Sequence, residues 1–190
     1  MSEPRDGAEA PDDEPFVVER FSAAPGNGTE APDYELAVWR ALDGVMDPEI
    51  PVVSVVEMGI VRDVAVDEDG VAVTMTPTFA GCPALDVMRR DIEAAVDALG
   101  AACVVRTTLS PPWTTEWISE AGREKLRLFG LAPPPRLSDG PVSVTFFDPA
   151  PCPRCGSTRT YLRNAFGPTL CRMIWYCDDC RDAFEQFKAL

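Results

Sequence analysis

Two C-x-x-C pairs, Cys152-Pro153-Arg154-Cys155 and Cys177-Asp178-Asp179-Cys180, stand twenty-one residues apart in a chain of 190 residues that contains no histidine. The two-residue spacer lets a tight turn aim both sulfurs of a pair at one point. Four thiolates then complete a closed tetrahedral site with no position left for water or substrate, which makes the site structural rather than catalytic. The energetics agree, because a unit of about forty residues rarely stands on apolar burial alone, whereas structural zinc supplies roughly 10 to 16 kcal/mol of apparent folding free energy. Residues 151–190 are therefore expected to form a zinc ribbon held by Cys152, Cys155, Cys177 and Cys180. A rubredoxin-like iron site satisfies the same ligand logic, and the bland alternative is four ordinary buried thiols.

The missing histidine excludes more than any motif does. No Ser-His-Asp or Cys-His pair, no His-rich zinc enzyme and no two-His iron triad can be built. Seven cysteines behind a first thirty residues of acids and prolines, with no apolar signal core, point to reduced thiols and metal ligands in a cytoplasmic protein. The longest aliphatic stretch, Val52 to Val56, is broken by Ser54, so no membrane span is expected. Charge weighs against nucleic acid. Residues 151–190 hold six Lys/Arg against four Asp/Glu, which four thiolates with one Zn2+ bring to about neutral, and residues 34–150 hold nine bases against eighteen acids. A protein partner is the better inference.

The chain is long enough for one ordinary domain and a smaller unit. Residues 1–33, with nine acids, two arginines and five prolines, read as a disordered acidic tail. A helix capped by Asp33 is expected to carry Leu36, Trp39, Leu42 and Val45 and to end at Asp47-Pro48. Residues 60–66 and 71–76 read as a hairpin around Asp67-Glu68-Asp69-Gly70. Leu85, Met88, Ile92, Ala95, Val96 and Leu99 form one stripe of a second helix from Pro83 to Leu99, stopped by Gly100. Cys103 to Leu109 is a third strand and Trp117 to Phe129 a third helix ending at Gly130. The order α-β-β-α-β predicts an α/β (α+β) domain over residues 34–131 with a mixed sheet. Residues 132–150 read as a proline-rich linker, with a strand expected at 142–147.

Three cysteines lie outside the two pairs. Cys82, in Thr78-Phe79-Ala80-Gly81-Cys82-Pro83, is expected at the cap of the second helix, where the helix end lowers a thiol pKa, while Asp86 in the first turn opposes that shift. Such a thiolate can hold a metal or cluster transiently, although a lone cysteine at a helix end is more often inert. Cys103, opening a strand, reads as a core thiol. Cys171 shares strand parity with Met173, Trp175 and Cys177, but six extended residues place it about 20 Å from Cys177, so it also reads as core.

Asp47-Pro48-Glu49-Ile50-Pro51, Glu57-Met58-Gly59-Ile60-Val61 and the Thr78–Ala84 loop resemble the MIP18 (DUF59) iron–sulfur assembly family over roughly residues 35–110. Pro111-Pro112-Trp113-Thr114-Thr115-Glu116-Trp117-Ile118, Gly122-Arg123-Glu124-Lys125-Leu126, Gly130-Leu131-Ala132-Pro133-Pro134 and the ending Phe184-Glu185-Gln186-Phe187-Lys188 narrow the resemblance. The arrangement beyond the tail is similar to the D-subunit family (also lettered J) of the phenylacetyl-CoA oxygenases, the 1,2-epoxidases of phenylacetate catabolism. That resemblance implies an accessory subunit without its own active site. It acts with the oxygenase and reductase subunits that carry the di-iron, flavin and [2Fe–2S] centres, and assists maturation of an iron–sulfur or iron centre. It puts the family's loop cysteine on Cys82, with Thr78, Asp47 and Glu57 beside it as candidates for handling a transient iron or iron–sulfur cargo. It also matches Cys171 to a family cysteine. The competing readings are a purely structural oxygenase subunit and a thiol enzyme, whose base would have to be a carboxylate or lysine.

Overall fold

A computed structural model describes residues 31–136 and 148–188. The acidic tail up to residue 30 and the strand expected at 142–147 lie outside the described residues. The chain is an α+β protein with two mixed sheets, one of three strands in the order β1-β2-β3 and one of four in the order β4-β7-β6-β5.

The first sheet grows from the hairpin of β1 (Val61–Asp67) and β2 (Gly70–Met75), in which Asp67 pairs with Gly70. The Asp67 carboxylate accepts the amides of Asp69 (2.9 Å) and Gly70 (3.0 Å), closing the turn from its own side chain. Gly70 has φ 141°, and a Cβ there would stand 2.5 Å from the Ala102 carbonyl oxygen, so only glycine fits beside the incoming third strand. That strand, β3 (Cys103–Thr107), runs parallel to β2 after a crossover through α2 (Leu85–Asp97), and the sheet is mixed as expected. Met88, Ile92 and Val96 of α2 are buried against Val71, Val73 and Met75 of β2 and the rest of the main core. Leu99 lies beyond the helix end and is one-third exposed.

Helix α1 (Ala31–Leu42) differs from the sequence reading in two respects. Asp33 sits inside its first turn, where a negative charge complements the helix dipole, rather than at a cap. The helix stops at Leu42 because the amides of Gly44 and Val45 fold back to Ala41 and Leu42 in tighter turns. Its buried face is Val38 and Leu42, and Leu36 is exposed. Helix α3 (Glu120–Phe129) also starts later than the expected Trp117, since Thr115–Trp117 form a 3-10 turn and Ser119, in extended backbone, caps the helix by accepting the Gly122 amide at 3.0 Å. It ends at Gly130, as expected.

The second sheet holds β5 (Thr160–Asn164), β6 (Arg172–Cys177) and β7 (Asp182–Phe187), with β4 (Leu131–Ala132) laid parallel to β7. The ends of the stretch read as a linker are packed. Ala132 and Ala150 are buried in the ribbon core with Trp175 and Phe184, and the Arg123 guanidinium donates to the Pro134 carbonyl at 2.7 Å. In return Phe187, from the last strand, is buried in the main core, its ring 5.8 Å from Trp113. Each unit thus contributes to the other's interior.

Candidate functional site

In the ribbon, the sulfurs of Cys152, Cys155, Cys177 and Cys180 all lie within 4.8 Å of one another, with Cys152 to Cys180 at 3.7 Å and Cys155 to Cys177 at 3.6 Å. A tetrahedron with metal–sulfur bonds of about 2.3 Å has sulfur–sulfur edges of about 3.8 Å, so the four ligands fit a closed thiolate site. Local backbone makes the arrangement. The Gly156 amide closes the first knuckle onto the Cys152 carbonyl at 2.8 Å, and Gly156 (φ 72°) and Arg181 (φ 56°) take the left-handed conformation immediately after the second cysteine of each pair. Amides then face the sulfurs: that of Ser157 donates to Cys155, that of Asp182 to Cys180 and that of Cys180 to Cys177. Donors of this kind favour thiolate over thiol and fix its direction. Arg154–Asp182 and Arg159–Asp179 ion pairs clasp the exposed side of the knuckles.

The second locus is a groove of about 250 Å3 where the ribbon meets the first unit. Asp47 and Glu49 line it from the loop after α1, Thr78 and Cys82 from the β2–α2 loop, and Thr169 and Cys171 from the loop before β6. Among the expected cargo residues, Cys82, Thr78 and Asp47 come together here. Glu57 does not join them. Its carboxylate accepts the Ser54 amide at 3.0 Å and pairs with Lys125 at 2.7 Å, while its carbonyl accepts the Ser119 amide, so it ties the turn before β1 to α3.

Cys82 lies ahead of the helix, not at its cap. The cap of α2 is Ala84, and the Cys82 carbonyl accepts the Leu85 amide at 3.2 Å. Its thiol is pushed above the ordinary range, opposite to the expectation from a helix end. Burial is the main cause, and Glu49, Asp47 and Cys171 add to it, while the Ala84 amide pulls the other way. The opposing carboxylates therefore come from across the groove and not from Asp86, whose exposed side chain pairs with Arg89.

Cys171 is half-buried and not among the ribbon ligands. Its sulfur is 3.1 Å from the Thr169 hydroxyl and 3.9 Å from the Glu49 carboxylate. Its thiol is also raised, by burial first and then by Glu49 and Asp47, against the Thr169 hydroxyl and Arg172. The Asp47 carboxyl, buried, is raised as well, although it accepts the amides of Glu49 (2.7 Å) and Ile50 (2.9 Å) and feels Arg172. Cys103 is elsewhere, packed against the main core with its thiol pushed up to about 12 by burial and by Asp97 and Glu93.

Two residues that sequence reasoning missed complete the groove. Arg172, buried in the ribbon, donates to the Glu49 carbonyl at 2.5 Å and pairs with Glu185 at 2.9 Å, bolting the ribbon to the acidic loop. Glu49 supplies the carboxylate facing Cys171. The Asp47-Pro48-Glu49 run was visible as a turn, but nothing local in it points to a partner more than a hundred residues away.

Comparison with known proteins follows the same division. Residues 35–107 match the family model described as iron–sulfur cluster assembly protein, and residues 145–188 match the PaaD zinc beta ribbon domain. A protein of Escherichia coli (strain K12), provisionally named as the D component of a 1,2-phenylacetyl-CoA epoxidase, is 37% identical over 85% of this chain and 97% of its own length. The Fe-S protein maturation auxiliary factor YitW of Bacillus subtilis (strain 168) is 38% identical over 43% of this chain and 82% of its own. A solved structure of a DUF59 domain from Bacillus anthracis is 29% identical and covers 50% of this chain and 92% of that one, with a TM-score of 0.47.

Proposed function

This chain belongs to the D-subunit family of the 1,2-phenylacetyl-CoA epoxidases, and from that premise we propose that it is an accessory subunit of such an oxygenase system in phenylacetate catabolism, assisting the maturation of an iron–sulfur or iron centre in it. The observation that carries this reading is Cys82 on the wall of an interdomain groove, half-buried beside a second thiol and two carboxylates. The match of residues 35–107 to an assembly family and the likeness to a protein named as a maturation factor support the same role. The cargo, iron or an iron–sulfur cluster, is received at Cys82 and passed to a partner, for which the reductase subunit with its [2Fe–2S] centre is the natural client. No histidine is available for a di-iron site of the Glu-x-x-His kind, so oxygen chemistry belongs to the oxygenase subunits. Zn2+ in the ribbon supplies a structural cross-link and no open coordination position. This reading places the protein in the cytoplasm, where its thiols stay reduced. Among the described residues no helix is long and apolar enough to cross a membrane.

The test is co-expression of the reductase subunit with the wild type or with Cys82→Ser, followed by iron and sulfide analysis of the purified reductase. Loading that falls several-fold with Cys82→Ser, at unchanged ribbon metal content, is the expected result. A reductase fully loaded in both cases, with this chain still co-purifying in fixed ratio with the oxygenase, would replace maturation by the structural-subunit reading.

A further inference from the structure

The groove gathers more ligand chemistry than one assembly cysteine requires. Cys82 comes from the first unit and Cys171 from the ribbon, and the Glu49 carboxylate lies 3.9 Å from the Cys171 sulfur. Burial raises both thiols and the Asp47 carboxyl; Glu49 and Asp47 add to it at each sulfur, and Arg172 opposes it at Asp47 and at Cys171. Two thiols and two carboxylates lining one groove are a donor set suited to a metal centre. The spacing selects the kind of cation. Among the described residues, only the four ribbon cysteines bring three or more ligand atoms within 4.8 Å of one another. As placed, the groove ligands do not all stand within reach of a single ion. Its volume of about 250 Å3 is also roomy, since one water occupies about 30 Å3 of liquid. A cluster whose separate iron atoms take separate thiolates spans such a gap.

We propose that Cys82 of the β2–α2 loop and Cys171 of the ribbon are the two protein thiolates of one iron–sulfur cluster site, with Glu49 as its carboxylate, so that the cargo is held across the joint between the two units. This deepens the maturation reading and rests on it. On binding, each thiol gives its proton to solvent as its sulfur joins an iron, and no redox change is involved. Two protein thiolates leave the remaining iron positions to exchangeable ligands. The thiolates of a client can take those positions one by one, which is the chemical requirement for passing the cluster on.

The test is anaerobic reconstitution of the zinc-loaded full chain with ferric iron, sulfide and dithiothreitol, the dithiol reducing as much of the iron as the cluster requires, with iron, sulfide and visible absorbance measured on the wild type, Cys82→Ser, Cys171→Ser and Cys103→Ser. The wild type and Cys103→Ser should bind iron and sulfide in similar amounts, and Cys82→Ser and Cys171→Ser should each lose more than about tenfold in affinity, a loss at the low end of that seen even for residues behind the ligands. In the wild type itself, a bound cluster should protect both Cys82 and Cys171 from alkylation, a readout independent of any folding defect in a variant. Normal cluster binding by Cys171→Ser, continued alkylation of Cys171 in the loaded protein, or iron uptake without sulfide would each overturn the proposal. Client loading separates it from its premise. If loading depends on Cys82 and not on Cys171, the shared site fails while the maturation role stands; if both cysteines hold the cluster yet loading is indifferent to them, the maturation role fails.

Discussion

Asp47 shows how one side chain is made to serve two demands. Its carboxyl holds the amides of Glu49 and Ile50, which shapes the loop that presents Glu49 to Cys171, yet burial raises its pKa above the ordinary 3.8. The native state therefore holds this proton more tightly than the unfolded chain does. Stability contributed by Asp47 declines as pH rises from the unfolded toward the folded pKa, and a fixed penalty remains above it. Asp47→Asn keeps an oxygen acceptor and cannot ionise, so it should match or exceed wild-type stability at neutral pH and flatten that decline in urea melts over mildly acidic pH. Asp47→Ala strands two amides and should cost about 1 to 3 kcal/mol. An Asn variant clearly weaker than wild type at neutral pH would show that the charge, through Arg172, outweighs its burial. Cys82 teaches the related point that the sign of a thiol shift is set by what faces the sulfur, and Glu49, Asp47 and Cys171 face it from outside its own loop.

Elements here start and stop where side chains meet the backbone, not where hydrophobic periodicity ends. The segment from Trp117 to Phe129 reads as one helix in sequence, but Ser119 sets the start of α3 by capping it through the Gly122 amide. Ser119→Ala should lower stability by about 1 kcal/mol, and Ser119→Asp, which retains an acceptor at the positive end of the helix, should recover most of it in the same denaturant titration. The hairpin of β1 and β2 is the converse case, in which a carboxylate, a glycine and alternating valines all specify one turn. The short β4 follows neither pattern. Two residues become a strand because β7 offers its edge, and no propensity in Leu131-Ala132 foretells that.

At the scale of the molecule, the ribbon and the assembly unit exchange parts, Phe187 into one core and Ala132 with Ala150 into the other. Removing the ribbon metal should therefore weaken both. Calorimetry of the metal-loaded protein should give one cooperative transition; a chelator, or Cys177→Ser, should abolish the ribbon's order and lower the midpoint of what remains, on the scale of the roughly 3 to 5 kcal/mol that a buried Phe to Ala change costs. An unchanged first-unit midpoint would mean that Phe187 adds little across the joint. What the sequence alone determined is the local chemistry: four cysteines at ligand spacing, a hairpin, an amphipathic α2, the glycine that ends α3 and the exclusions that follow from having no histidine. These depend on residues a few positions apart, which covalent geometry brings together in any fold. The tertiary structure alone decided that Cys171 leaves the ribbon core for the groove, that Glu49 and Arg172 meet 123 residues apart, that Glu57 is a tie to α3, and that the Cys82 thiol is raised rather than lowered. Each of those is a matter of distance and dielectric between segments, and neither quantity exists until the two cores have closed on each other.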